Sequence, residues 1–251
     1  MLTKQILIII IITWATGCAT INESSDKSKA LLHLQLGTSY LMKGDYPQAL
    51  RELREAERLD SYNATIHNNL GLAYLVRDKI DDAEIHFKKS LSIKNDYTDA
   101  RNNLGRLYID VGLYNKAITE LEIAATDLTY QYPEKSWSNL GQAYFLSGQY
   151  EKAKKSLQKS LKERRDSCFT MNYYGRSLFE LKNYKAAAES LDQAVRLCEK
   201  SNFEEPHFYS ALSFYKIGNV DQARARFNEV LQLYPKSHYA IKAKEMLEIL
   251  K

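Results

Sequence analysis

The chain has little proline and little net charge. Only 4 of its 251 residues are proline, whereas 18 are tyrosine. This composition excludes a loop-rich fold and indicates helices that pack through aromatic side chains. The formal net charge is only +4. An excess this small gives no indication of a nucleic-acid partner.

The sequence also lacks the motifs of the common catalytic sites. It contains no Gly-rich phosphate loop, nucleophile elbow or Ser/His/Asp cluster. His33, His67 and His207 share one position of the repeat described below, which predicts a packing role. His86 and His238 fall elsewhere in the repeat, and no pair of histidines has metal-ligand spacing with a carboxylate. We therefore expect a non-enzyme with no metal, no cofactor and no small-molecule substrate.

Long apolar runs are missing except for a short one at the N-terminus. Lys4 precedes an apolar stretch at residues 6–12. A membrane-spanning helix needs about 20 apolar residues, so this stretch is too short. A positive residue, an apolar core and the small residues that follow predict a secretory signal peptide over residues 1–17. That segment ends directly before Cys18.

The sequence Ala15-Thr16-Gly17-Cys18 resembles the lipobox of bacterial lipoproteins, although Ala15 stands where leucine is usual. The resemblance implies cleavage before Cys18 and acylation of its thiol. Ala19 follows, so there is no aspartate that would retain the protein at the inner membrane. The resemblance therefore implies the outer membrane, on the periplasmic face. Two acyl chains and an N-acyl group would give stable anchoring there. An ordinary signal peptide with a chance cysteine, or an uncleaved anchor, are the alternatives.

A repeat of about 34 residues follows a polar stretch at residues 18–29, which we interpret as a flexible tether. A glycine recurs with this period, and we call it the marker glycine and count it as position eight of the repeat. Position twenty is then always alanine, and position twenty-four is always leucine or phenylalanine. A period in this range is typical of a helical solenoid. The marker glycines are spaced 34, 34, 36 and 34 residues apart: Gly37, Gly71, Gly105, Gly141 and Gly175.

This pattern resembles the tetratricopeptide repeat. The resemblance implies an all-α fold, a right-handed superhelical solenoid of six helix-turn-helix repeats that ends in a capping helix at residues 236–251. In each repeat a first helix, A, would pack against a second helix, B, through the small positions. The expected repeats are about 30–63, 64–97, 98–133, 134–167, 168–203 and 204–235.

The same resemblance implies a concave groove lined by the A helices at positions two, five, nine, twelve and thirteen. These positions are mostly apolar with scattered amides, a combination that suits an extended or helical peptide. The alternative for each residue is packing between repeats. The predicted partner-binding residues are Leu34, Leu41, Met42, Asn68, Leu72, Leu75, Asn102 and Arg106.

The two remaining cysteines fall at opposite ends of the fifth repeat. Cys168 occupies position one, and Cys198 occupies position thirty-one. Helix A of a repeat starts where its antiparallel helix B ends, so we expect the two residues to lie close together. The periplasm permits a disulfide, which would close a loop of about 30 residues and stabilise the fold by about 3 kcal/mol. Two buried thiols are the alternative.

A lipoprotein signal, a tether, six repeats and a cap resemble, in combination, the PilF/PilW/Tgl family of type IV pilus pilotins. That resemblance implies an outer-membrane lipoprotein that binds pilus secretin subunits and promotes their membrane targeting and multimerisation, and so pilus-driven motility. Two alternatives remain. One is a periplasmic tetratricopeptide adaptor for envelope hydrolases or proteases, and the other is an uncleaved inner-membrane scaffold.

Overall fold

The computed structural model describes residues 25–250. The predicted signal peptide and Cys18 lie outside this range. Every regular element between residues 25 and 250 is a helix, so the predicted all-α fold class is confirmed. None of the helices in this range combines the length and the hydrophobicity that a membrane crossing requires.

The described residues form thirteen helices, which are six A/B pairs and a final helix. α1 covers residues 25–43. The others are α2 Tyr46–Leu59, α3 Ala64–Leu75, α4 Ile80–Ile93, α5 Thr98–Asp110, α6 Tyr114–Ala125, α7 Pro133–Leu146, α8 Tyr150–Glu163, α9 Cys168–Glu180, α10 Tyr184–Leu197, α11 Glu205–Lys216, α12 Val220–Leu233 and α13 His238–Ile249.

The chain divides into two compact units. The first unit ends at Leu107 and contains α1 to α4 with most of α5. The second unit begins at Tyr108 and contains the end of α5 and α6 to α13. Each unit is described separately below.

Inside each unit, small residues let the A and B helices of a repeat approach closely. A Cβ atom added to Gly71 would lie 2.6 Å from the ring of Phe87, and one added to Gly141 would lie 2.4 Å from Leu157 Cγ. Such distances leave no room for a methyl group. The alanines at position twenty and the large residues at position twenty-four are fully buried, namely Ala49, Ala83, Ala117, Ala153, Ala187 and Ala223, and Leu53, Phe87, Leu121, Leu157, Leu191 and Phe227.

The turn between the A and B helices requires a left-handed backbone. Gly44 begins this turn in the first repeat, with φ of 76°, and three later repeats also use glycine. In the second and fifth repeats the equivalent residues are Asp78 and Lys182, with φ of 56° and 61°. Glycine adopts this conformation without the steric cost that a Cβ brings. The turn geometry is therefore kept even where the favourable residue is absent.

The last helix, α13, closes the second unit. Tyr239, Ala243 and Leu250 are buried in one cluster with Phe208 and Phe227 of the sixth repeat. The Arg224 guanidinium also donates to the Leu250 carbonyl oxygen at 2.6 Å. The final helix covers an apolar face that would otherwise be exposed, which is the role of a cap in a repeat array.

The first helix begins earlier than the sequence indicated. Residues 25–29, assigned to the tether, are helical. Lys29 Nζ lies 3.7 Å from Asp26 Oδ1, one turn away on the same helix. Polar composition suggested a tether, but charged residues are equally compatible with an exposed first turn of a helix. Ala30 is the first buried residue of α1.

Candidate functional site

The predicted groove residues of the first unit differ widely in exposure. Leu34 is only 8% exposed, whereas Met42 is 80% exposed. Asn68 and Asn102 are buried, and Arg106 is exposed. The three other leucines of the set, Leu41, Leu72 and Leu75, are partly exposed. Of the predicted set, the apolar side chains that a partner could contact are therefore Met42 and the partly exposed leucines.

Asn68 belongs to a hydrogen-bond network that joins three successive A helices. Its Nδ2 donates to Asn69 Oδ1 at 3.2 Å, and its Oδ1 accepts from Asn103 Nδ2 at 2.9 Å. Asn69 Nδ2 in turn donates to Thr38 Oγ1 at 2.8 Å, and that hydroxyl donates to the Leu34 carbonyl oxygen at 2.7 Å. The network runs from α1 through α3 to α5.

This network changes the interpretation of the asparagines. The sequence suggested that they could bind the backbone of a peptide. In the structure, the nitrogen and the oxygen of the Asn68 side-chain amide already bond to neighbouring side chains, and the residue is 4% exposed. Buried polar groups of this kind fix the alignment of packed elements when they are fully paired. Asn68 therefore sets the relative position of neighbouring repeats.

In the second unit, Arg176 on α9 lies at the centre of a polar and aromatic cluster. Its Nη1 donates to Glu205 Oε2 at 2.8 Å, and Asn172 Nδ2 donates to the same oxygen at 3.0 Å. The other oxygen of Glu205 accepts from the Tyr239 hydroxyl at 2.9 Å. Burial and the adjacent Glu205 carboxylate raise the pKa of Tyr239 above its usual value, so this hydroxyl stays a donor.

Three aromatic rings surround the Arg176 guanidinium. Its Cζ atom lies 4.5 Å from the centre of the Phe145 ring, 4.6 Å from that of Tyr209 and 5.4 Å from that of Tyr173. A guanidinium in such surroundings gains cation–π attraction in addition to its ion pair. The Arg176 side chain is only 13% exposed.

The Arg176 cluster still has unpaired polar atoms. Among the described residues, Arg176 Nε and Asn172 Oδ1 are buried and have no hydrogen-bond partner. The first atom can donate one hydrogen bond and the second can accept one, and a peptide group offers the complementary pair. Phe169, which packs on Tyr173 with ring centres 4.8 Å apart, is 39% exposed above this region.

The only indication of this cluster in the sequence is the position of its residues within the repeat. Asn172 and Arg176 occupy positions five and nine of the fifth repeat, as Asn102 and Arg106 do in the third. Our predicted set included only the earlier pair. Two of the rings that surround Arg176, Phe145 and Tyr209, belong to other helices, so spacing alone could not distinguish the buried arginine from the exposed one.

Spacing along the sequence indicated no histidine pair that combines with a carboxylate as metal ligands, but three such side chains lie close together in the structure. Glu57, His67 and His86 place one ligand atom each within 4.8 Å of one another. His67 and His86 are 19 residues apart in the sequence, but they face each other across the helix pair of the second repeat. Spacing along the chain does not show this group, because its members come from positions that face each other on paired helices.

The two cysteines of the fifth repeat are joined in the structure. The Sγ atoms of Cys168 and Cys198 are 2.01 Å apart, and their Cα atoms are 5.1 Å apart. The bond connects the start of α9 with the residue that follows α10. It therefore joins the two open ends of one helix pair.

Family comparisons agree with the repeat geometry. A model described as TPR repeat matches residues 37–75, and one described as tetratricopeptide repeat matches residues 207–237. The chain is a tetratricopeptide repeat protein. Between these regions, residues 110–194 match the model of anaphase-promoting complex, cyclosome, subunit 3. No match was found among curated proteins.

Solved structures share this tetratricopeptide fold. PilF of Pseudomonas aeruginosa is 21% identical with a TM-score of 0.79, over 88% of this chain and 99% of that one. PilW, described as a widely conserved type IV pilus biogenesis factor, is 20% identical with a TM-score of 0.76, over 87% and 98%. YrrB, described as a TPR protein with an unusual peptide-binding site, is 14% identical with a TM-score of 0.63, over 77% and 97%.

The tetratricopeptide fold is typically a non-catalytic scaffold for protein–protein interaction. The exposed apolar side chains on the A helices agree with that role, because apolar side chains with few polar groups suit the binding of peptides. The candidate site of this tetratricopeptide protein is therefore a contact surface for a protein partner.

Proposed function

We propose that this chain is an outer-membrane lipoprotein pilotin, anchored through an acylated Cys18 and facing the periplasm. It binds a segment of the type IV pilus secretin and promotes secretin targeting and multimerisation, which supports pilus assembly and motility. Anchoring raises the effective concentration of bound secretin subunits at the membrane, and this favours their association. No covalent bond is made or broken.

The observation that carries this proposal is similarity over nearly the whole length of two pilus proteins. This chain covers 99% of the PilF chain and 98% of the PilW chain, and PilW is a type IV pilus biogenesis factor. The correspondence includes the repeats and is not limited to one or two of them. The N-terminal sequence around Cys18, which resembles a lipobox, also supports the proposal.

We propose that the secretin segment contacts the apolar side chains of the first unit. Leu72 and Leu75 lie three residues apart on α3 and therefore on neighbouring parts of one helix face. Met42 on α1 is the most exposed apolar side chain among the predicted contact residues. Methionine adapts its shape to a partner, and burial of these side chains would supply apolar binding energy.

Two glutamate substitutions on this surface test the proposal. Met42→Glu combined with Leu72→Glu should reduce secretin binding at least about tenfold, because burial of a carboxylate in an apolar contact is unfavourable. Binding is measured with purified secretin, and secretin multimers are measured in cells. Leu34 is not suitable for this test, because it is 8% exposed and a charge there would disturb the fold.

The matched control places the same two charges on exposed residues of B helices. Ile85→Glu with Ile123→Glu changes side chains that are 62% and 52% exposed. This control should retain both secretin binding and multimers. Normal multimer levels in the Met42/Leu72 variant would contradict the proposed surface. Loss of envelope hydrolase capture with intact multimers would instead support an adaptor.

A further inference from the structure

Three potential metal ligands meet in the first unit on three different helices. Glu57 lies on α2, His67 on α3 and His86 on α4. His67 Nδ1 is 3.1 Å from His86 Nδ1 and 3.6 Å from Glu57 Oε1. The set joins the end of the first repeat to both helices of the second.

The His67 ring is oriented by a bond on its other nitrogen. His67 Nε2 lies 2.9 Å from the carbonyl oxygen of Ser61, which can only accept a hydrogen bond. The Nε2 atom is therefore protonated, and in the neutral ring the lone pair lies on Nδ1. That lone pair faces His86 and Glu57. Histidines that bind metal ions are commonly held in this way by a backbone carbonyl.

We propose that Glu57, His67 and His86 form a binding site for a divalent transition-metal ion of the zinc type. Two histidines and one carboxylate are a known ligand set for Zn²⁺, with a fourth position open to solvent. Two nitrogens bound to one zinc ion at a tetrahedral angle would be about 3.4 Å apart. The 3.1 Å separation of the Nδ1 atoms is close to this value.

Metal binding requires only a local adjustment. The centres of the two histidine rings are 5.4 Å apart with 24° between their planes, and the two Nδ1 atoms lie at hydrogen-bond distance. Since the Nδ1 atom of neutral His67 carries a lone pair, the proton of this hydrogen bond belongs to His86. The cation would replace that proton, and His86 would turn so that both lone pairs converge. His67 is 3% exposed and fixed, whereas His86 and Glu57 are partly exposed. The two partly exposed ligands provide the route by which an ion enters.

Charges of both signs lie around the site, and burial opposes a positive charge on His86. The carboxylates of Glu57 and Asp82 act on His86, and Arg54 is the neighbouring positive group. The Arg54 guanidinium donates from Nη2 to the Tyr74 hydroxyl at 2.7 Å, which holds its position. The Tyr74 ring lies against His86 with centres 5.2 Å apart, so an aromatic wall supports that ligand.

The equivalent histidines of two other repeats show why this site differs. His33, at the same repeat position as His67, contacts Glu52 at 2.8 Å. His207, also at that position, contacts Glu229 at 3.0 Å. Neither belongs to a group of three ligand atoms among the described residues. At position twenty-three, the first repeat has Glu52 and the second repeat has His86. Glu57 of the first repeat then completes the set of three ligands.

The test uses the full-length protein, purified without a histidine tag and treated with EDTA. Calorimetric titration with Zn²⁺ should show one equivalent bound, and the melting temperature should rise with added Zn²⁺ because the ion binds the folded state. His86→Ala and Glu57→Gln should each weaken binding by more than about tenfold. Neither residue is fully buried, and circular dichroism in EDTA verifies that the variants fold.

The matched control is His33→Ala, which removes a histidine from the corresponding position of the first repeat. It should bind Zn²⁺ as the wild type does. NMR of the imidazole nitrogens should assign the bound atom of His67 to Nδ1, because Nε2 is bonded to Ser61. The proposal would be overturned if no one-to-one complex formed at about 0.1 mM Zn²⁺, a concentration at which even weak binding is detected. It would also be overturned if His33→Ala and His86→Ala weakened Zn²⁺ binding equally.

Discussion

At the scale of single residues, Arg106 and Arg176 show how one repeat position serves two environments. Both occupy position nine of an A helix. Arg106 is exposed, whereas Arg176 is held between three rings and paired with Glu205. An arginine buried in this way contributes through its charge and through the packing of its side chain.

We expect Arg176→Ala to lower the free energy of unfolding by about 2–3 kcal/mol, because it leaves the partly buried Glu205 carboxylate without its cation. The substitution also removes the group that the Phe145 and Tyr209 rings contact. Chemical denaturation of the purified protein measures the change.

Arg106→Ala is the control at the equivalent position. This side chain is exposed, so its removal should change the free energy of unfolding by less than about 0.5 kcal/mol. Equal effects of the two substitutions would show that the ion pair and the aromatic contacts of Arg176 do not contribute to stability.

At the scale of the helices, the repeat pattern was sufficient to predict the fold. The contact between helix A and helix B of one repeat depends on residues within about 30 positions of each other, so it recurs with the sequence period. Ala153 and Leu157 of α8, for example, are fully buried as their positions require. The glycine opposite them, Gly141, leaves no space for a Cβ.

The sites were harder to predict, because they depend on which side chains neighbouring helices present. Asn68 was predicted to contact a partner, yet Asn69 and Asn103 occupy its hydrogen-bonding groups. His67 and His86 looked unrelated, although His33 and Glu52 have the same 19-residue separation and also meet. Repeat position identifies which residues face each other, but not what they do.

The turns between paired helices provide a test at this scale. Lys182 has φ of 61° in a turn where four other repeats have glycine. Its amide nitrogen donates to the Phe179 carbonyl oxygen at 2.9 Å, as Gly44 does to Leu41 at 3.1 Å. Lys182→Gly should therefore raise the free energy of unfolding by about 0.5–1 kcal/mol, because relief of the left-handed strain exceeds the added entropy of the unfolded chain.

Lys182→Ala separates this backbone effect from loss of the lysine side chain. Alanine retains a Cβ and therefore the strain, so this variant should stay within about 0.5 kcal/mol of the wild type in urea denaturation. If both variants were stabilised equally, the effect would come from the side chain and the backbone argument would be wrong.

At the scale of the whole molecule, the proposed function combines two separable properties, anchoring and partner binding. In this proposal, anchoring depends on Cys18, which lies outside the described residues. Binding depends on the tetratricopeptide repeats, whose apolar contact residues lie on α1 and α3. A pilotin needs both, because it must hold the secretin at the membrane where multimers form.

Cys18→Ser separates these properties. The variant should lose incorporation of labelled palmitate and leave the membrane fraction, because stable attachment requires more than one acyl chain. Secretin multimers in cells should fall, yet the purified variant should bind secretin as the wild type does, since its repeats are unchanged. The Met42/Leu72 double variant should show the reverse: membrane attachment with weakened binding. Retention of Cys18→Ser at the outer membrane would contradict lipid anchoring, whereas loss of secretin binding by the purified variant would contradict the assignment of binding to the repeats.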